Sequence, residues 1–426
     1  MGHQFDFDPQ LSALPLAFDR NAVARLFQQR WPGRPALAGG APAIRVRRPC
    51  FTSYYPSARC ITTYELLVEQ PGAAPTQAIG VVDVHPAGLT ARLFPDDPEL
   101  PWLVPALDPA CMGSRFARLL EEEEGAAPKT CTITPVRYKP GARCMIRYTL
   151  RTSSGRRTYY GKVLAQGGEQ LLATLRALYR LSLTAPAMPR IPQPLGYWPE
   201  AQLLVQSAVA DGAELHSRIF DTQEDRATRE QLARAAGACL GGLHTSAGAA
   251  GSRRTFADDL DALRADYAPV AQIDPALAAQ FEAAIGELAA LARGRAEGTP
   301  VASHGAFRTD QLMIANGHLA MIDLDSFCWA HPARDVGNFM AYLRWRAIRQ
   351  PLHAAAIEQA RRAFLDGYVA AGPALDGGWL ALYQAASMLK IVGRRFRNLT
   401  YQEWPLTPQL LGAALAEVNK GGSGRA

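Results

Sequence analysis

The residues of this chain best suited to chemistry lie in one stretch, His304 to Phe339, which reads HGAFRTDQLMIANGHLAMIDLDSFCWAHPARDVGNF. Two short apolar runs, 312–315 and 319–324, flank Asn316-Gly317, a strong hairpin turn signal. The second run ends in Asp323-Leu324-Asp325. Alternation along a strand predicts both carboxylates on one face. Two acids at a strand end, shortly after a polar loop, suit magnesium, which prefers carboxylate oxygens and keeps positions open for phosphate.

This stretch resembles the catalytic core of the aminoglycoside phosphotransferase and choline kinase-like family, part of the protein-kinase-like fold. That core reads H-G-D, four residues, then N, a hairpin, an I-D metal motif, and a downstream D that opens a helix. His304 and Gly305 match its first two positions, Asp323 the metal aspartate and Asp335 the downstream one. The family's catalytic Asp falls on Ala306, which cannot accept a proton, and its metal-binding Asn falls on Gln311. The resemblance implies ATP and Mg2+ as cofactors, with Gln311 and Asp323 as metal ligands and His304 bracing the loop. General-base help is worth roughly 10²–10⁴-fold, so Ala306 would slow transfer without removing a nucleotide site. Asp310 and Asp325 are the candidate replacement bases, although Asp310 serves equally as a loop cap. Arg308 reads either as a clamp on an acidic substrate or γ-phosphate, or as a surface ion pair. Asp335 is expected to cap its helix and tie back to the loop.

These residues need a scaffold that brings a sheet to them. An internal repeat supplies one: Tyr54-Tyr55-Pro56-Ser57-Ala58-Arg59-Cys60 resembles Tyr138-Lys139-Pro140-Gly141-Ala142-Arg143-Cys144, and each copy leads into alternating strands. In the kinase-like fold the third small-lobe strand carries a lysine for the α- and β-phosphates. Lys162 takes that place in the second copy, and the matching position of the first copy is about Val81. Gly141 and Arg143 fall where the phosphate-covering loop would lie, or form a plain turn. Glu169 opens a helix where the resemblance puts the lysine's acidic partner, or is a first-turn acid favoured by the helix dipole. The connector between lobes falls on 203–212, with backbone groups of Gln206 to Ala208 placed at adenine.

Elsewhere, helices are expected at 21–31, 114–124, 169–181, 230–244, 258–267, 275–293, 335–349, 354–371 and 379–399, and β structure over 44–107. His244 reads as a packed core histidine. Linkers are expected near 32–42 and 125–128, the acidic run Glu121 to Glu124 reads as a solvated helix end, and 420–426 reads as a disordered tail. The fold class is therefore α+β: a bilobal protein-kinase-like fold with an additional N-terminal β-rich domain resembling a duplicated small-lobe unit. The expected divisions are 1–125, a cap-like domain, 126–205, the small lobe, and 206–426, a helical large lobe.

Composition limits the alternatives. With 48% hydrophobic and 20% charged residues, the 426-residue chain is that of a globular protein large enough for two or three domains. The net charge of +6 is spread through scattered arginines, not clustered with aromatics, which argues against nucleic-acid binding but leaves an anionic ligand compatible. Seven cysteines form no C-x-x-C pair, so neither a disulfide framework nor a zinc cluster is expected and a cytoplasmic setting is the default. No signal peptide or membrane span is expected. The partners are a nucleotide and a small-molecule acceptor, and the oligomeric state stays open. The expected function is ATP/Mg-dependent phosphoryl transfer to a hydroxyl of a small molecule. The rival is a pseudokinase, a nucleotide-binding or interaction protein without transfer.

Overall fold

A computed structural model of the chain describes residues 5–31, 42–70, 73–124, 128–153, 155–209, 212–221, 223–315 and 317–423. The expected linkers at 32–41 and 125–127, and Asn316 of the hairpin turn, lie outside the described residues, as do the side chains of the acidic run at 121–124.

Two sheet-bearing units come first. In unit one, helices α1 (Leu14–Phe18) and α2 (Arg20–Arg30) precede the antiparallel meander β1 (Ala43–Tyr55), β2 (Arg59–Glu69), β3 (Thr76–His85) and β4 (Gly88–Leu93). In unit two, α3 (Leu103–Ala106) and α4 (Pro109–Glu124) precede β5 (Thr130–Lys139), β6 (Arg143–Thr152) and β7 (Gly155–Leu164). Helix α5 (Gly168–Thr184) follows, and β8 (Pro194–Trp198) and β9 (Leu203–Ser207) complete a sheet in the order β5-β6-β7-β9-β8.

The duplication is borne out, and it begins earlier than the hairpins that reveal it in the sequence. Asp8-Pro9-Gln10-Leu11 and Asp97-Pro98-Glu99-Leu100 open the two units. Leu11, Leu14, Ala17 and Phe27 correspond at one constant spacing to Leu100, Leu103, Ala106 and Phe116, and all eight are buried. Polar ties repeat as well. Tyr64 donates to the Ala17 carbonyl, and Tyr148 donates to the Ala106 carbonyl at 2.8 Å. Asp8 accepts from the Tyr54 hydroxyl and the Ser57 N–H, and Asp97 accepts from the Tyr138 hydroxyl and the Gly141 N–H. Ser57 and Gly141 both adopt left-handed backbone, φ 59° and 67°, at the same turn position.

Three expectations change. The apolar residues of 100–120 pack on Tyr138, Ile146, Tyr148 and Val163, so α3 and α4 belong with the second sheet and the break between units falls near 94–97 rather than 125. Strands stop at Leu93 because the following prolines cannot donate to a ladder. Cross-strand register pairs Met145 with Lys162 and Ile61 with Asp83, so the first-unit counterpart of Lys162 is Asp83, not Val81.

The large lobe holds the short strand β10 (Ala213–Glu214), α6 (Leu215–Ile219), α7 (Arg226–His244), β11 (Arg253–Arg254), α8 (Phe256–Ile273) and α9 (Pro275–Ala292). It continues with β12 (Val301–Ser303), the hairpin β13 (Leu312–Ala315) and β14 (His318–Met321), β15 (Cys328–Ala330), α10 (Ala333–Arg349), α11 (Ala354–Ala371), α12 (Gly377–Arg397) and α13 (Thr407–Ser423). Helices α7 and α11 approach so closely that a Cβ at Gly237 or Gly367 would strike the facing backbone carbonyl. The tail expected to be disordered from 420 instead continues α13 to Ser423, because Leu410, Leu411, Ala414 and Val418 anchor the helix at apolar spacing. Among the described residues no helix is long and apolar enough to cross a membrane.

Candidate active site

A lysine from the second sheet meets the two acids of the hairpin. Lys162 on β7 is buried, and its Nζ donates to Asp323 Oδ1 at 3.1 Å and Asp325 Oδ1 at 2.5 Å. Arg143 Nη1, from the start of the neighbouring strand β6, reaches Asp325 Oδ2 at 2.8 Å. The two acids do not share a strand face, as alternation predicted, because β14 ends at Met321. Asp323 takes left-handed backbone, φ 62°, and a 3₁₀ turn over Leu324–Ser326 brings Asp325 round to the same ammonium. A non-glycine residue held in that region stores strain that surrounding contacts must hold in place. Burial opposes ionisation of Asp323, yet the charge and hydrogen bond of Lys162, with Arg143 and His304 beyond, hold its carboxyl below the usual range.

The first unit shows what changed to make this site. There Arg59, the counterpart of Arg143, forms a two-bond pair with Asp83 at 2.9 and 2.7 Å within its own sheet. In unit two that acid is Lys162, so both cations must find carboxylates on the other lobe. Arg59 thus finds its main carboxylate inside unit one, with Glu99 of unit two 3.6 Å away, whereas the cations of unit two are answered from the large lobe.

The loop from His304 to Gln311 is fixed from below. Asp335 at the start of α10 is fully buried and accepts from the His304 N–H at 2.6 Å and the Gly305 N–H at 3.0 Å. Burial opposes its ionisation, but His244, His304 and Arg334 hold its carboxyl at about 2. His304 Nε2 donates to the Ile322 carbonyl at 3.0 Å, tying the loop to the residue before Asp323. Gly305 has φ 84°, and a Cβ there would collide with the Ser326 carbonyl. Arg334 donates to the Gly305 carbonyl and Asn338 to the Phe307 carbonyl, both at under 3 Å. His304 thus braces the loop, and His244 is a core histidine bonded to Tyr368 at 2.7 Å.

The remaining expected residues divide. Gln311 is buried, and its Oε1 has no hydrogen-bond partner. An orphaned amide oxygen on the loop fits a cation ligand, as do the two carboxylates held by Lys162. Among the described residues no three His, Cys, Asp or Glu side chains come together as a metal cluster, so a cation here would rest on two acids, an amide and phosphate oxygens. The Gly141 N–H donates to Asp97 at 2.9 Å. Glu169 is exposed in the first turn of α5 and does not pair with Lys162. The rest of that helix carries no acid, so the hairpin carboxylates take the ammonium instead. Gln206 lies on β9 opposite Tyr160 and Pro194, and the Ala208 N–H donates to the Thr158 carbonyl at 3.2 Å. A cavity of about 430 Å³ opens beside Ser207 and Ala208, against the β13–β14 hairpin.

A second cavity, about 220 Å³, lies against the loop at Arg308, Thr309 and Asp310. Arg308 stands 3.1 Å from Asp310 Oδ1 and over the Tyr342 ring, and its charge reaches Asp323. Asp325 is engaged by two cations, whereas Asp310 faces this cavity with its side chain 47% exposed. Tyr342, Arg346 and His216 also line it. Sequence reasoning missed these three. The spacing of Tyr342, Arg346 and Arg349 on one helical face was the available signal.

Residues 147–374 match the profile of the phosphotransferase enzyme family. No curated protein sequence matches the chain. Among solved structures, a protein from Ralstonia eutropha assigned as an aminoglycoside phosphotransferase is 16% identical, with a TM-score of 0.52 over 71% of this chain and 98% of its own. A choline/ethanolamine kinase family protein from Mesorhizobium loti is 15% identical, with a TM-score of 0.45 over 73% of this chain and 94% of its own. An amicoumacin kinase solved with AMP-PNP, Ca2+ and Ami is 14% identical, with a TM-score of 0.46 over 67% of this chain and 88% of its own. At these identities the likeness is one of fold.

Proposed function

The chain belongs to the phosphotransferase enzyme family, and from that premise we propose that it transfers the terminal phosphoryl group of Mg-ATP to a hydroxyl of a small molecule. The acceptor class is a sugar, aminoglycoside or natural-product-like alcohol. One observation carries the reading: the Lys162 ammonium contacts both Asp323 and Asp325 across the lobes. A buried lysine that answers two acids from another lobe marks a cleft where cation and carboxylates can exchange partners for a triphosphate and its metal. When bound, magnesium would neutralise charge on the phosphate oxygens, held by Asp323, Asp325 and Gln311.

The chain's own residues supply the rest. Lys162 moves from carboxylate to the α- and β-phosphates. Arg143, on the opposite side of Asp325, adds positive charge at the phosphates. The loop braced by Asp335 holds Asp310 at the acceptor cavity. The acceptor oxygen bonds to the γ-phosphorus as the bridge to ADP breaks, and the hydroxyl proton passes to Asp310. Two features favour a pseudokinase as the second reading: Ala306 has no carboxylate, and α5 offers no acid to Lys162.

Thermal melting separates the readings. Mg-ATP at 100 times its Kd should stabilise the protein by about 2.7 kcal/mol. Lys162→Ala or Asp323→Ala should abolish the shift, while equal shifts in wild type and both variants would refute the site. A shift without phosphate transfer across a broad panel of hydroxylated acceptors would leave the pseudokinase.

A further inference from the structure

The cavity beside the loop is built for charge. Arg346, on α10, lays its guanidinium over the Phe220 ring at 3.7 Å and donates from Nη1 to His216 Nε2 at 2.8 Å. His216 must then be neutral, and its Nδ1–H donates to Thr309 Oγ1 at 2.7 Å. Burial and Arg346 hold its pKa below the ordinary range. The Nε of Arg346 is buried and has no partner. Among the described residues, no carboxylate pairs with Arg346. The other charges do not fill the gap. Asp310 is taken by Arg308 at 3.1 Å, and Glu403 is shared by Arg349 at 3.0 Å and Arg395 at 2.8 Å. Arg394 and Arg308 both donate to the Tyr342 hydroxyl. The cavity therefore carries an excess of guanidinium, held in place by neutral acceptors and an aromatic face.

We propose that this cavity receives an oxyanion group of the acceptor, a carboxylate, phosphate or sulfate, seated on Arg346 and flanked by Arg308 and Arg349. The acceptor is then an acidic, hydroxylated small molecule. Its hydroxyl would lie toward Asp310 and its anionic end toward α10. A planar guanidinium fixed by a ring and a histidine presents its free N–H groups without further ordering, which favours forked recognition of an oxyanion. The inference rests on the phosphotransfer reading of the adjoining site, but its binding test does not need nucleotide.

Calorimetric titration of the full chain, without ATP or metal, tests it. The probes are glucose 6-phosphate and gluconate, for phosphate and carboxylate arms, with glucose and choline as neutral and cationic controls. The anionic probes should bind and the controls should not. Arg346→Gln should weaken anion binding by about 10- to 100-fold, while Lys162→Ala should leave it unchanged. Arg346→Lys, which keeps charge but not the fork, should fall between, and Arg349→Gln provides a second variant should Arg346→Gln fail to fold. Equal binding of the controls, or no effect of either glutamine variant, overturns the proposal. Anion binding lost in Lys162→Ala would also overturn it, by placing the anion at the nucleotide site. Loss of the Mg-ATP melting shift with anion binding intact would instead count against the phosphotransfer reading alone.

Discussion

At the scale of single residues, the question is which carboxylate stands in for the one missing at Ala306. Asp325 has a cation on each oxygen, Arg143 on one and Lys162 on the other, and it does not line the acceptor cavity. Asp310 has one arginine beside it and a face on the cavity. Asp310→Asn should lower the transfer rate by roughly 10²–10⁴-fold and leave the Mg-ATP melting shift in place, as measured by steady-state assay and thermal denaturation. Ala306→Asp should raise the rate, because it restores an acid to a loop already braced by Asp335, His304 and Asn338. If neither substitution changes turnover, Asp310 is only a partner for Arg308.

At the scale of elements, the two sheet-bearing units show how a small change opens a site. Both keep the capping carboxylate, the left-handed turn residue and the tyrosine-to-carbonyl tie. They differ where β3 carries Asp83 and β7 carries Lys162. Removing either capping acid strands a buried hydroxyl and a turn N–H, at about 1–3 kcal/mol for each group left unmatched. Asp8→Ala and Asp97→Ala should therefore lower the melting temperature by similar amounts. Only Asp97→Ala should also weaken nucleotide binding, because its turn leads into Arg143. Equal effects on nucleotide affinity would show that the units are not chemically distinct.

At the scale of the whole molecule, unit one acts as a strap between lobes. Its β2 and β3 contribute Ile61 and Val81 to one apolar cluster with Leu100 and Leu103 of unit two. Its other side packs Phe5, Leu11 and Tyr54 in one cluster with Leu399, joined by Tyr401 and Trp404 of the large lobe. Gln272 of α8 donates to the Phe7 carbonyl at 2.7 Å. A chain starting at Asp97 should expose these faces, melt at lower temperature and bind a hydrophobic dye, and its Mg-ATP shift should shrink as the lobes lose their common support. A truncated chain as stable as the full one would show that unit one hangs free of the cleft.

The sequence alone determined which residues are chemically able and roughly where the strands and helices lie. Hairpin signals, the acids at 323 and 325, a strand lysine at 162 and the repeated turn are local patterns, and local patterns follow from backbone period and turn chemistry. It could not determine partners. Glu169 reads as the lysine's acid or as a first-turn acid, and it lies exposed; Gly141 reads as part of a phosphate-covering loop or as a plain turn, and Asp97 holds its N–H. The counterpart of Lys162 emerged only from strand register, and the arginine cavity only from α10 lying beside α6 and the loop. Those choices join groups from tens to more than a hundred residues apart, and packing makes them because a buried charge is stabilised by whichever opposite charge or polar partner the fold brings within reach.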